Sequence, residues 1–154
     1  MSIDICDAME LNHGRITLIA EPNSQTLNLA TANQEYLIEL TMDPERLATA
    51  HKFSYEDGIV TYTGTKPLDN MFIGMAVVEA SKGSTVLLNG YLGTTQVMSE
   101  PAVFSNSGDR QPFHVASSFT MPVGSTLHIK AKSDTANTQL TFISYTLVYD
   151  GYQV

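Results

Sequence analysis

The chain has 154 residues, 43% of them hydrophobic, a net charge of −8 and a single cysteine, Cys6. That is one domain of ordinary size, able to bury a core without metal support, and an internal disulfide is excluded. The eight basic residues are scattered, which excludes a phosphate-tracking nucleic-acid surface.

No apolar run approaches the roughly 20 residues of a membrane-crossing helix. Met1 to Asp7 lacks the basic-then-apolar pattern of a signal peptide, so synthesis in the cytoplasm is expected. Only 16% of residues are charged, while Ser, Thr, Asn and Gly abound. Such a composition suits the outer face of strands better than that of helices, which favours Glu and Lys.

Along the chain, residues 1–34 are the least patterned. They read either as an extended N-terminal arm or as a short pair of leading strands, with Leu27 and Leu29 alternating around Asn28. Residues 35–154 read as one all-β domain. Tyr36–Met42 is an expected strand stopped by Asp43-Pro44, and Pro44–Ala50 is the one stretch with helical character, with Asp43 as N-cap. Phe53–Tyr55 and Ile59–Thr63 flank Asp57-Gly58, a dipeptide whose tolerance of positive φ signals a hairpin. Expected strands follow at Asn70–Val78, Ser84–Asn89, Phe113–Met121, Ser125–Ala131 and Gln139–Tyr149, separated by polar or Gly-containing turns.

Two of these strands are apolar on both alternating faces: Met71–Val78 and Leu140–Tyr149. A two-layer sandwich covers only one face of a strand, so the second must be covered by another segment or another subunit. For the last strand, alternation sets Leu140, Phe142 and Val148 against Ile143, Tyr145, Leu147 and Tyr149.

Catalytic chemistry is missing. His13, His51, His114 and His128 stand far apart, without metal-ligand spacing. Alternation sends His128 outward with Lys130 while Leu127 and Ile129 point in, and sets His114 opposite Phe113 and Val115. Cys6 and His13 have no orienting group nearby for a nucleophile–base pair. Glu56-Asp57 and Ser107-Gly108-Asp109 lack calcium-loop spacing. No cofactor is expected, and the chain reads as a non-enzyme.

The order of motifs from Phe53 onward resembles a known family. Phe53-Ser54-Tyr55, then Gly58-Ile59-Val60-Thr61-Tyr62-Thr63-Gly64, leads into the apolar Asn70–Val78 strand. Next come Val86-Leu87-Leu88-Asn89-Gly90, a pair around Pro122-Val123-Gly124, and a hydrophobic closing strand. This is similar to the tumour-necrosis-factor-like and complement-globular-head-like jelly rolls of virus and bacteriophage surface proteins. The resemblance implies an all-β, antiparallel two-sheet jelly-roll sandwich and a homotrimer. It also implies a virion-surface role, such as capsid decoration or a short head fibre. The N-terminal segment would attach the domain to a capsid or other virion protein. With the doubly apolar strands, it makes Phe72, Ile143, Tyr145, Leu147 and Tyr149 the expected trimer interface. The alternative function is a receptor- or carbohydrate-binding module at a tail or fibre tip.

Overall fold

The computed structural model describes residues 11–22 and 24–154. Among the described residues the elements from His13 onward are, in order, β1 His13–Ile19, β2 Gln25–Leu29, β3 Tyr36–Leu37, the short helix α1 Pro44–Leu47, β4 Phe53–Glu56 and β5 Ile59–Tyr62. Then come β6 Leu68–Ala80, β7 Ser84–Leu92, β8 Thr95–Phe104, β9 Arg110–Met121, β10 Thr126–Ser133 and β11 Thr138–Gln153. The first sheet has the order β1-β11-β6-β9, with β2 paired to the beginning of β11. The second has the order β4-β5-β10-β7-β8, with β3 also on β10. Every strand pair is antiparallel. This two-sheet arrangement is a jelly-roll sandwich.

Residues 13–19 and 25–29 are strands of the first sheet, both paired with β11. Residues 1–10, with Cys6, lie outside the described residues.

Local sequence explains most elements. Asp57 and Gly58 both take positive φ, 48° and 85°, as the tight β4–β5 hairpin demands. A Cβ on Gly58 would also meet the Ile38 carbonyl oxygen at 2.7 Å. The Asp43 carboxylate caps α1 by accepting from the Glu45 N–H at 2.9 Å. The helix ends at Leu47, shorter than the expected Pro44–Ala50.

Two elements differ from expectation. Thr95–Phe104 is a full strand, although Glu100 and Pro101 interrupt its pattern. It tolerates the proline because it is an edge strand, hydrogen-bonded only to β7. Tyr36–Met42 pairs in the second sheet only over Tyr36 and Leu37, extended by Ile38 N–H to Ile129 O at 2.9 Å. The chain then crosses to the first sheet, where Met42 bridges Ala20 and the Asp43 N–H donates to Ile19 O at 2.7 Å. Its alternation survives the crossing because Ile38, Leu40 and Met42 bury into the space between the sheets.

The core corrects the expected interface. Phe72, Tyr145, Leu147 and Tyr149 are 2%, 4%, 6% and 3% exposed within a single chain, so they form its core and no outer surface. Phe72 and Tyr149 stack at 4.8 Å, and Phe142 meets Tyr145 edge-on at 5.6 Å. The fifth, Ile143, is half-buried. The cause is a β-bulge. Phe142 pairs with Val78 but Ser144 with Val77, so β11 spends two residues where β6 spends one. One extra residue reverses the alternation. Leu140 and Phe142 before the bulge, and Tyr145, Leu147 and Tyr149 after it, therefore all point inward. What reads as two apolar faces on β11 is largely one face with a step in it. On β6 the pattern has no step, and Phe72 simply belongs to the inner of its two apolar faces.

Candidate interaction surface

The outer face of the first sheet follows directly from strand register. Reading across β1, β11, β6 and β9, the first row is His13, Tyr152, Asp69 and Thr120, and the second is Arg15, Asp150, Met71 and Ser118. The third is Thr17, Val148, Ile73 and Ala116; the fourth is Ile19, Thr146, Met75 and His114. Beyond these, Val77 stands beside Ser144 and Pro112, and Glu79 beside Thr141 and Arg110.

The middle of this face is apolar and open. Met71, Ile73 and Met75 are 56%, 40% and 55% exposed, while their neighbours Phe72, Gly74 and Ala76 face the core. A lone exposed hydrophobic residue needs no explanation, but a contiguous band marks an interaction site. Polar pairs bracket the band at both ends. At one end His13 Nε2 lies 2.5 Å from Asp150 Oδ1, Arg15 Nε lies 3.7 Å from Asp150 Oδ2, and Thr120 Oγ1 donates to Asp69 Oδ1 at 3.0 Å. At the other, Arg110 Nε lies 3.7 Å from Glu79 Oε1. A dry centre with a polar rim is the anatomy of a protein–protein interface. The charged end opens into a concavity of about 970 Å³ lined by Arg15, Asp69, Met71, Ile73, Asp150 and Tyr152, among others.

Sequence reading singled out Met71–Val78 as apolar on both sides, but it could not say which side faces the core. The tightest clue is Gly74. A Cβ there would meet Leu147 Cδ2 at 3.0 Å and Phe72 Cζ at 3.1 Å, so the face that carries Gly74 has no spare room. Val148, Ala116 and Ile19 join the band only through strand pairing, a non-local property.

The outer face of the second sheet carries a different constellation. Tyr91 Oη donates to both oxygens of Glu35, at 2.7 and 2.6 Å. The His128 ring stacks on Tyr91 at 5.3 Å, and Lys130 Nζ lies 5.4 Å from the Tyr91 centroid. The hydrogen bond to Glu35, then burial, pushes the Tyr91 phenol up to about 12. Burial, then the nearby Lys130 charge, pulls the His128 imidazole below its ordinary value. These groups engage one another and tie the segment before β3 to the sheet, which is a structural task. As expected, His128 sits opposite Leu127 and Ile129, which are 2% and 5% exposed.

The remaining polar residues considered from sequence have local roles. Asp109 Oδ2 accepts from the Ser105 and Asn106 N–H groups, closing the β8–β9 turn. His51 lies at the sandwich edge, where its backbone bridges Arg15. Among the described residues no group of three or more His, Cys, Asp or Glu is arranged to hold a metal, and no helix is long and apolar enough to cross a membrane.

No family model matches the chain, and no curated protein matches it in sequence. Solved structures do match in shape. The vertex protein P5 of PRD1 superposes with a TM-score of 0.57 at 10% identity, covering 92% of this chain and 97% of that one. Murine APRIL gives 0.61 at 10% identity, covering 90% and 98%. The globular domain of zebrafish complement 1qA gives 0.51 at 13% identity, covering 92% and 97%. At such low identity the likeness establishes fold and nothing finer. The chain has a tumour-necrosis-factor-like jelly-roll fold.

Proposed function

We propose that this protein is a non-enzymatic structural component of a virus particle, a bacteriophage capsid-decoration or short head-fibre protein. It acts as a homotrimer whose seam is the outer face of the β1-β11-β6-β9 sheet. The observation that carries this reading is the exposed apolar band of Met71, Ile73 and Met75 between two charged rims. Covering it with a second copy removes the band from water at roughly 25 cal/mol per Å² of apolar area. The interface moves from the core residues Phe72, Tyr145, Leu147 and Tyr149 to this opposite face. The trimer is the assembly implied by the family resemblance, and the likeness to the vertex protein of PRD1 supports a place on the particle surface. The residues ahead of β1 attach the domain to the shell in this proposal.

Solution mass, by light scattering after size exclusion, is the direct test. A mass near three times 16.8 kDa is expected. A monomer over a wide concentration range overturns the seam. The concavity around Tyr152 would then be open, and a receptor- or carbohydrate-binding module becomes the better reading.

A further inference from the structure

We infer that Met71 and Met75 form a paired oxidation site that controls assembly: a peroxide converts both thioethers of the free protomer to sulfoxides, and a protomer so modified no longer enters the trimer. The inference rests on the seam proposed above and adds its regulation.

The seven methionines of the chain divide sharply by position. Among the described residues, Met42, Met98 and Met121 are 5%, 9% and 0% exposed and belong to the core, whereas Met71 and Met75 are 56% and 55% exposed. Both stand on the outward side of β6 with Ile73 between them, because Phe72, Gly74 and Ala76 occupy its inward side. A thioether needs no deprotonation to react, so access to the sulfur decides which methionine meets a peroxide. In the reaction a sulfur lone pair takes one peroxide oxygen. An S–O bond forms, the O–O bond breaks, sulfur is oxidised by two electrons, and the peroxide is reduced to water or an alcohol.

The product is tolerated on the free chain and costly in the seam. On the open face a sulfoxide oxygen is hydrated, and the core beneath keeps its unmodified methionines, so the fold is retained. In the seam, a soft and adaptable apolar side chain has become a polar one at the centre of the band. The groups beside it in register compensate only in part. Met71 lies between Asp150, whose ionised carboxylate only accepts, and Ser118; Met75 lies between Thr146 and His114. One hydrogen bond from such a neighbour replaces only part of the hydration that burial removes. Each copy carries two such oxygens into the seam, so the cost repeats around the trimer.

The test uses the full chain with Cys6→Ser, which keeps thiol oxidation out of the readout. Dilute protein is treated with hydrogen peroxide, sulfoxides are located by peptide mass spectrometry, and assembly is followed by light scattering over a concentration series. Met71 and Met75 are expected to oxidise ahead of Met42, Met98 and Met121. The concentration at half-assembly is expected to rise about tenfold. Methionine sulfoxide reductases are expected to reverse that shift. Met71→Leu/Met75→Leu keeps apolar side chains of similar volume and is expected to assemble alike before and after peroxide. It retains Met1 and Met9, so it separates their oxidation from that of the band. Met71→Leu and Met75→Leu singly are each expected to lose part of the response. Near-ultraviolet circular dichroism confirms that each sample is folded. Oxidised protein that assembles as well as untreated protein, or a double variant that loses assembly to peroxide, overturns the inference while the seam stands. An untreated chain that stays monomeric overturns the seam itself.

Discussion

At the scale of single residues, the structure separates polar groups that organise the domain from those on the exposed face. Tyr91, Glu35, His128 and Lys130 satisfy one another on the second sheet. Their effect is on stability, and it has a definite sign. His128 in the folded chain holds its proton less well than in the unfolded chain, because burial and Lys130 disfavour the charged form. Between the lowered folded value and the ordinary 6.5, the unfolded chain binds more protons. The contribution of His128 is therefore fully present above about pH 6.5 and is lost as pH falls through the folded value. His128→Gln should flatten the stability profile between about pH 7 and pH 5. Urea unfolding of variant and wild type at several pH values checks this; parallel curves would contradict it.

At the scale of elements, the bulge in β11 decides which side chains the core receives. Alternation is restored, not broken, if the extra residue is removed. With Ile143 deleted, Phe142 stays inward, Ser144 outward and Tyr145 inward, which is the pattern already present. Deleting Ile143 should leave a folded sandwich, weakened by the loss of one half-buried side chain, about 1–2 kcal/mol. Deleting Thr146 instead throws the following Leu147 and Tyr149 to the solvent side, or shifts their pairing with β6. That chain should fail to unfold cooperatively. Thermal melts of the two deletions make the comparison, and equal behaviour would show that the bulge is not what sets the faces.

The same logic shows how far each element was readable. The Asp57-Gly58 hairpin, the Asp43 cap and the apolar β6 strand rest on residues close together in sequence, and they appear where the local chemistry puts them. The β8 strand was hidden because Glu100 and Pro101 break its pattern, and only its place at a sheet edge makes them tolerable. The crossing of Tyr36–Met42 between sheets leaves no local mark, since a segment packed between two layers alternates as a strand does.

At the scale of the whole molecule, the outer face of the first sheet has an apolar centre and charged rims. Ile73 sits in the middle of that face, flanked in register by Val148 and Ala116. Placing a carboxylate there costs the free chain little, because the position is 40% exposed. Burying that carboxylate in a seam costs several kcal/mol, roughly the desolvation of an unpaired charge. Ile73→Asp should therefore abolish trimers while leaving the thermal unfolding of the protomer near wild type. Light scattering and a melt on the same sample check both halves, and a trimeric Ile73→Asp would place the seam elsewhere.

Composition and alternation alone determined that this is an all-β chain and that it carries apolar residues beyond those its core takes up, among them the exposed Met71, Ile73 and Met75. Those properties are local: period-two patterning, turn chemistry and residue type depend only on neighbours along the chain. Which face carries the leftover surface was decided by the tertiary structure. A face is a relation between strands distant in sequence, and a single bulged residue at Ile143 was enough to exchange the inside and the outside of the last strand.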